Sequence, residues 1–408
     1  MARPEVRVRM YRVGFGDCFL VTLTDPAGKR RHLLFDCGVH PAGDAGTLEA
    51  VIANIGKETG GRLDLVVASH AHEDHIAGFG RHGDMFATFD IGTVWLPWSE
   101  NTEDKDAIRL GRQRAALFAL LSDHFRATKP SAAAAAVLAN AAAVSRNQRA
   151  LANLRSVFRS GKSATFVEAG QTFTDAFGIS GLTLRVLGPS RDENFLKKMN
   201  PPKAERFLRV GGNGETEVAN AFLPFPDSEA VTKEAAAALG LMLSPADEKY
   251  LQKGASGSHE ALAFVLDRAL NNSSVVVLVS YLGRHLLFPG DAQYGAWKHW
   301  IETPEGEEIL GSLDFYKVSH HGSHNATPKS AVDLMTGGEL AAMVSTQNEP
   351  WESIPHEKLM TALQTCTSNR VVRSDSLALE GATVGPVLAE PPAGVEVGEL
   401  WFDLTIPA

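Results

Sequence analysis

Cysteine is scarce in this chain: there are three in 408 residues, Cys18, Cys37 and Cys366. An odd, widely spaced set with no C-x-x-C pair argues against a disulfide framework and for free thiols in a reducing compartment. Long apolar runs are also missing. No stretch approaches the roughly 20 residues that a membrane helix needs. The Ala-rich run 131–143 is short, weakly apolar and flanked by Lys129 and Arg146. Met1–Arg7 has no apolar core of signal-peptide type. The expectation is a cytoplasmic protein that does not enter the membrane. An excess of basic charge is lacking too. The formal net charge of −9 gives no general attraction to phosphate backbones, although a local basic cleft is compatible with it.

What is present is an ordinary globular composition, 44% hydrophobic and 21% charged, in a chain long enough for one large domain with insertions or for two domains. Strand signals recur. Residues 5–13 alternate apolar and basic. Cys18–Leu23 and His32–Phe35 follow, separated by the Asp25–Gly28 turn. Further strands are expected at 63–68, 91–97, 183–188, 274–281, 284–288, 313–318 and 341–345. A closing pair is expected near 370–384 and 397–405. Helices are expected over 46–58, 293–304, 327–335 and 356–365. Residues 101–165 and 191–270 change character and read as two mainly helical insertions. Helical spacing runs through 115–121, 131–144, 147–158, 228–240 and 259–270. The second insertion opens with Arg191, Lys197, Lys198, Lys203, Arg206 and Arg209, either a contact for an anionic substrate or a solvated linker.

The most informative stretch is Ser69-His70-Ala71-His72-Glu73-Asp74-His75, directly after the apolar run Leu63–Ala68. A loop at the end of a buried strand is where α/β proteins place their sites. In an extended loop, His70 and His72 point to one side and can grip one metal ion. Asp74 and His75 can face a second ion as the chain turns into a helix. Imidazole with carboxylate suits zinc and is tolerated by manganese or iron. Two later strand ends carry residues of the same chemistry: Asp291 in Pro289-Gly290-Asp291, and His320 and His321 in Ser319-His320-His321-Gly322-Ser323.

The H-x-H-x-D-H pattern resembles the signature of the metallo-β-lactamase superfamily. That resemblance implies an α/β fold of four layers, an αββα sandwich. It spans residues 1–408 as one domain interrupted by the two insertions. It also implies one or two metal ions at one edge, zinc or else manganese. On that resemblance His70 and His72 hold one ion, Asp74, His75 and His321 hold the other, and Asp291 lies between them. His321 fits the late-histidine position better than His320. His320 then stands near substrate as a proton donor or oxyanion partner, or simply supports a ligand. Asp74 carries a second role in orienting a metal-bound hydroxide. Asp17, Asp36, Asn272 and His356 are candidates for supporting the ligands. Asp36 reads as a loop cap more readily than as a ligand, and His356 is also a candidate proton donor.

Several segments match, in order, the soluble hydrolase domain of ComEC-type DNA-uptake proteins and their stand-alone relatives. They are Val13–Cys18, Leu34–Gly38, Val186–Pro189, Asn271–Leu278, Pro289–Asp291, Lys317–Ser323, Pro355–Leu359 and Arg373–Asp375. The resemblance covers residues 6 to about 384 outside the insertions. It implies a metal-dependent hydrolase acting on a phosphodiester, either nucleic acid or a nucleotide. A small ester, lactone or thioester is the alternative substrate class. A non-catalytic partner-binding protein on a retained fold is a further one, and the insertions could dock a protein partner in either case. Two departures stand out. The membrane channel of the uptake proteins is absent, and Asn271-Asn272-Ser273 stands where the superfamily has a middle histidine. The His70/His72 site is therefore short of one imidazole. His285 could replace it, but its apolar neighbours put it on the opposite face.

Overall fold

The structure is a computed structural model that describes residues 3–112, 144–196, 202, 205, 270–347, 354–376, 392 and 394–408. The strands are β1 (Glu5–Tyr11), β2 (Phe19–Thr24), β3 (Arg30–Phe35), β4 (Arg62–Val67), β5 (Asp90–Pro97), β6 (Thr165–Val167), β7 (Thr172–Thr174), β8 (Leu182–Gly188), β9 (Val276–Tyr281), β10 (Arg284–Phe288), β11 (Phe315–Lys317), β12 (Ala341–Val344), β13 (Val371–Arg373), β14 (Val395–Val397) and β15 (Trp401–Pro407). They build two sheets, in the orders β14-β15-β1-β2-β3-β4-β5-β6 and β13-β12-β11-β10-β9-β8-β7.

The layering follows from the two-residue period of a strand, which sends successive side chains to opposite faces. Leu33 and Phe35 of β3 enter the core between the sheets, and Leu34 enters the core on the outer face of the first sheet. In the second sheet, Val277 and Val279 point inwards between the sheets, while Val276 and Leu278 point to the outer face. Helix Leu48–Thr59 covers the outside of the first sheet through Val51, Ile52 and Ile55. The helices Tyr294–Ile301, Pro304–Gly311, Lys329–Leu334 and Glu357–Cys366 supply Trp297, Leu310, Val332 and Leu359 to the outside of the second. The result is four layers, helix–sheet–sheet–helix.

Some expectations require correction. The helix expected over 293–304 is two helices. The first ends at Ile301, and Thr303 caps the second, its Oγ1 accepting from Gly306 N at 3.1 Å, while Pro304 occupies the first turn where its missing N–H costs nothing. The expected closing pair of strands is not a pair. β13 lies at the edge of the second sheet, whereas β15 pairs with β1 in the first. Thr165–Val167, at the end of the first insertion, is a strand beside β5. The insertion's helix Val144–Arg155 packs Ala150 and Leu154 into the same core as Phe79. The helices expected over 115–121, 131–144, 228–240 and most of 259–270, together with Lys197, Lys198, Lys203, Arg206 and Arg209, lie outside the described residues.

Candidate metal centre

Four loops at the strand ends converge on one edge of the sandwich. β4 ends at Val67, the backbone runs through His70 and His72, and helix Glu73–Arg81 begins immediately. Asp74 and His75 therefore sit in its first turn, where a helix N-terminus favours negative charge. The turn is pressed onto Gly38, where an added Cβ would lie 2.4 Å from the His75 backbone. From outside, Asn147 Nδ2 donates to Ala71 O at 2.9 Å and Asn153 Nδ2 donates to Phe79 O at 2.9 Å, so the helix Val144–Arg155 braces the loop.

Donor atoms of Asp74, His75, Asp291 and His321 all lie within 4.8 Å of one another, and all four residues are buried. His75 Nε2 is 3.1 Å from Asp291 Oδ2. His321 Nε2 is 3.3 Å from Asp74 Oδ2 and 3.6 Å from Asp291 Oδ2. The other nitrogen of each ring is committed. His75 Nδ1 donates to Asp36 Oδ2 at 2.8 Å, and His321 Nδ1 donates to the Ser345 carbonyl at 2.8 Å. Both rings are thereby turned so that Nε2 faces the cluster, the usual arrangement behind a metal-ligating imidazole. Asp74 Oδ1 is buried with no hydrogen-bond partner among the described residues. Two imidazoles and two carboxylates around a common point, one with a spare oxygen, fit a divalent ion such as zinc.

Electrostatics agree with the geometry. Burial alone would push His75 and His321 down, but Asp291 and the other carboxylates around them outweigh it and hold both imidazoles up. Burial would push Asp74 and Asp291 up, yet His75 and His321 beside them hold both carboxyls well below the usual range. In the absence of metal the imidazoles carry protons that an incoming ion must displace. Metal uptake near neutral pH is therefore expected to release on the order of one to two protons per ion, with affinity rising as pH rises. Titration calorimetry in buffers of different protonation enthalpy reads this directly; uptake without proton release would contradict it.

The structure places the remaining residues as follows. His70 Nε2 and His72 Nδ1 face each other at 2.8 Å. Burial and the neighbouring imidazoles push His70 well down, which leaves it neutral. Among the described residues, neither joins a group of three or more metal-type donors. His285 is on the far side of its strand, its Nδ1 at 2.9 Å from Ser280 Oγ. His320 keeps 18% side-chain exposure, with Nε2 3.9 Å from Asp291 Oδ2, and burial pushes its imidazole down to about 3. Asn272 is a scaffold residue: its Oδ1 accepts from the N–H groups of Gln293 and Ala296 at the start of helix Tyr294–Ile301. His356 precedes helix Glu357–Cys366 and donates its N–H to Gly322 O at 2.7 Å.

Asp36 has a left-handed backbone, φ 55°, and accepts from Ser69 N and Ser69 Oγ, each at 2.7 Å, as well as from His75. It combines the loop cap expected of it with the orientation of His75. Asp36→Asn is expected to weaken metal binding by about 10–100-fold, the range for a residue that orients a ligating imidazole. Competition with a chromophoric chelator measures it, and unchanged affinity would remove Asp36 from this role.

Lys317 is the residue the sequence analysis passed over. It follows Phe315 by two on β11, so strand alternation turns it inwards with Phe315 into the layer between the sheets. Its side chain is 2% exposed, its Nζ pairs with Asp17 across the sandwich, and it stands 3.5 Å from Asp291 Oδ1. Although burial works against the charge, Asp17 and Asp291 hold the ammonium group well above its ordinary range. A second group of close donors, Asp17, Asp36 and His75, lies on this side of the centre. Lys317 already supplies positive charge there.

Residues 11–81 match the family model of the metallo-beta-lactamase superfamily. The matched segment runs from the end of β1 through His70, His72, Asp74 and His75, and it contains Asp17 and Asp36. Asp291 and His321 lie far beyond it in sequence and reach the same point through the fold. No curated protein sequence matches the chain. Among the described residues, no helix is long and apolar enough to cross a membrane.

Proposed function

We propose that this protein is a metal-dependent hydrolase of the metallo-β-lactamase type, acting on a phosphodiester. The observation that carries the reading is the buried convergence of Asp74, His75, Asp291 and His321, two of them from the superfamily-matched segment and two from the ends of strands in the other half. These four residues would hold one divalent ion. The facing His70 and His72 nitrogens would take a second ion more weakly, since the segment Asn271-Asn272-Ser273 stands where the superfamily has a middle histidine. A bound divalent ion supplies Lewis acidity towards the scissile group and lowers the pKa of water. The chain's own residues do the rest. Asp74 holds His321 in place and keeps a carboxylate oxygen free to orient the attacking water. Asp36 and Ser345 lock the two imidazoles. His320, partly exposed beside Asp291, faces the substrate.

The phosphodiester assignment draws on the resemblance to the ComEC-type hydrolase domains. Metal analysis coupled to turnover of bis(p-nitrophenyl) phosphate, a lactone and single-stranded DNA tests both levels. Metal-dependent cleavage of the phosphodiesters is the expected result. Cleavage of the lactone alone would keep the hydrolase and replace the substrate class. Metal without any turnover would leave a binding protein on a hydrolase fold.

A further inference from the structure

His320 and His321 share one strained turn. Both have left-handed backbones, at φ 46°, ψ 49° and φ 52°, ψ 19°, a conformation costing roughly 1–2 kcal/mol per non-glycine residue. Such strain persists only where surrounding contacts over-determine it. His321 is fixed by Ser345, whereas the contacts of His320 point elsewhere.

His320 Nδ1 is 2.9 Å from Ser323 Oγ, and Ser323 Oγ donates to Asn325 Oδ1 at 2.7 Å. A hydroxyl whose proton is given to Asn325 meets the imidazole as an acceptor, so the proton of the ring belongs on Nδ1. On the opposite side of the ring, Asn271 Nδ2 is 3.3 Å from His320 Nε2. An amide N–H there requires a bare ring nitrogen, which gives the same tautomer independently. Gln293 Nε2 stands 3.4 Å from Nδ1, where an amide N–H asks for the opposite tautomer; the Ser323 contact to the same nitrogen is shorter, at 2.9 Å, and decides the proton's place. Ser323, Asn325 and Asn271 are all buried, at 3%, 3% and 1% exposure, so water competes little for these contacts.

The structure assigns Ser323 and Asn325 as positioning residues that fix His320 in the Nδ1–H form, with the lone pair of Nε2 turned towards the metal centre. With its proton on Nδ1, His320 has none to give at Nε2 and is not the proton donor its position in the sequence first suggested; the Nε2 lone pair accepts from Asn271, and an attacking water or a substrate hydroxyl reaches it only by displacing that contact. The tautomer stands on the hydrogen bonds alone; its catalytic consequence rests on the hydrolase reading above.

Nitrogen-15 NMR of the full-length, metal-loaded protein separates the two. The His320 signal is assigned by its loss in His320→Gln. It is expected to show a protonated Nδ1 and an unprotonated Nε2. Ser323→Ala should abolish that preference, and Ser323→Thr, which keeps the hydroxyl, should restore it, with bound metal the same in all three. Turnover of bis(p-nitrophenyl) phosphate should fall by up to roughly 10²-fold in Ser323→Ala, through kcat and not KM, the order expected of a displaced catalytic group. A wild-type His320 protonated on Nε2 would overturn the proposal, and so would an unchanged tautomer in Ser323→Ala. The wild-type spectrum decides by itself if the alanine variant does not fold. Absence of turnover in the wild type would count against the hydrolase reading and leave the tautomer test intact.

Discussion

Asp74→Asn is expected to lower turnover by roughly 10²–10⁴-fold, the range for positioned general-base groups, while the protein still folds. The amide keeps the shape of the side chain but loses the charge that orients the attacking water and that adds to Asp291 in holding His75 and His321 up. Nothing in the fold depends on that charge in the way the centre does: Asp74 Oδ1 has no hydrogen-bond partner among the described residues, and Oδ2 faces the His321 and His75 ring nitrogens at 3.3 and 4.0 Å. The backbone of Asp74, whose carbonyl accepts from Asp17 N at 2.9 Å, is untouched by the change. Kinetics, circular dichroism and metal content of the variant together test this. Full activity would remove Asp74 from the mechanism.

Lys317→Met is expected to have the largest effect on stability. In protein stripped of metal, it leaves the buried Asp17 carboxylate without the ammonium group that pairs with it. Removing one partner of a buried ion pair costs about 3–5 kcal/mol, whereas replacing both by groups of similar volume is often close to neutral. The double variant Asp17→Asn with Lys317→Met should therefore recover much of the loss. Urea denaturation in chelator measures both. A single variant within about 1 kcal/mol of wild type, or a double variant less stable than the single, would contradict the placement of Lys317 as the resident cation of the centre.

The difference between Asp74 and Lys317 shows what a sequence can disclose here. The His70–His75 loop is legible because its ligands are separated by one or two residues, so local backbone geometry decides which way they point. Asp291 and His321 are legible as polar residues at the ends of apolar strands. Lys317 is not, because a lysine is read as solvent-exposed unless its strand register is known. Its signal is the Phe315-Tyr316-Lys317 alternation, which becomes decisive only once Phe315 is seen to face inwards. The four layers are what the resemblance to the superfamily implies, and two-residue periodicity sorts each strand's side chains between them. β6 and β7 have three residues each, too few for any period to register. The pairing of β15 with β1 joins the two ends of the chain, and no local pattern encodes such a partner. Ser323 belongs to the histidine-pair segment and Asn325 lies two residues beyond it, but their part emerges only from the direction of two hydrogen bonds.

Anomalous scattering from crystals grown with zinc tests the central claim most directly. The account predicts a strong peak about 2.0–2.3 Å from donor atoms of Asp74, His75, Asp291 and His321, with any second peak at His70 and His72 weaker. A strong peak at His70 and His72 with none among those four residues, or no bound zinc at this edge of the sandwich, would contradict it.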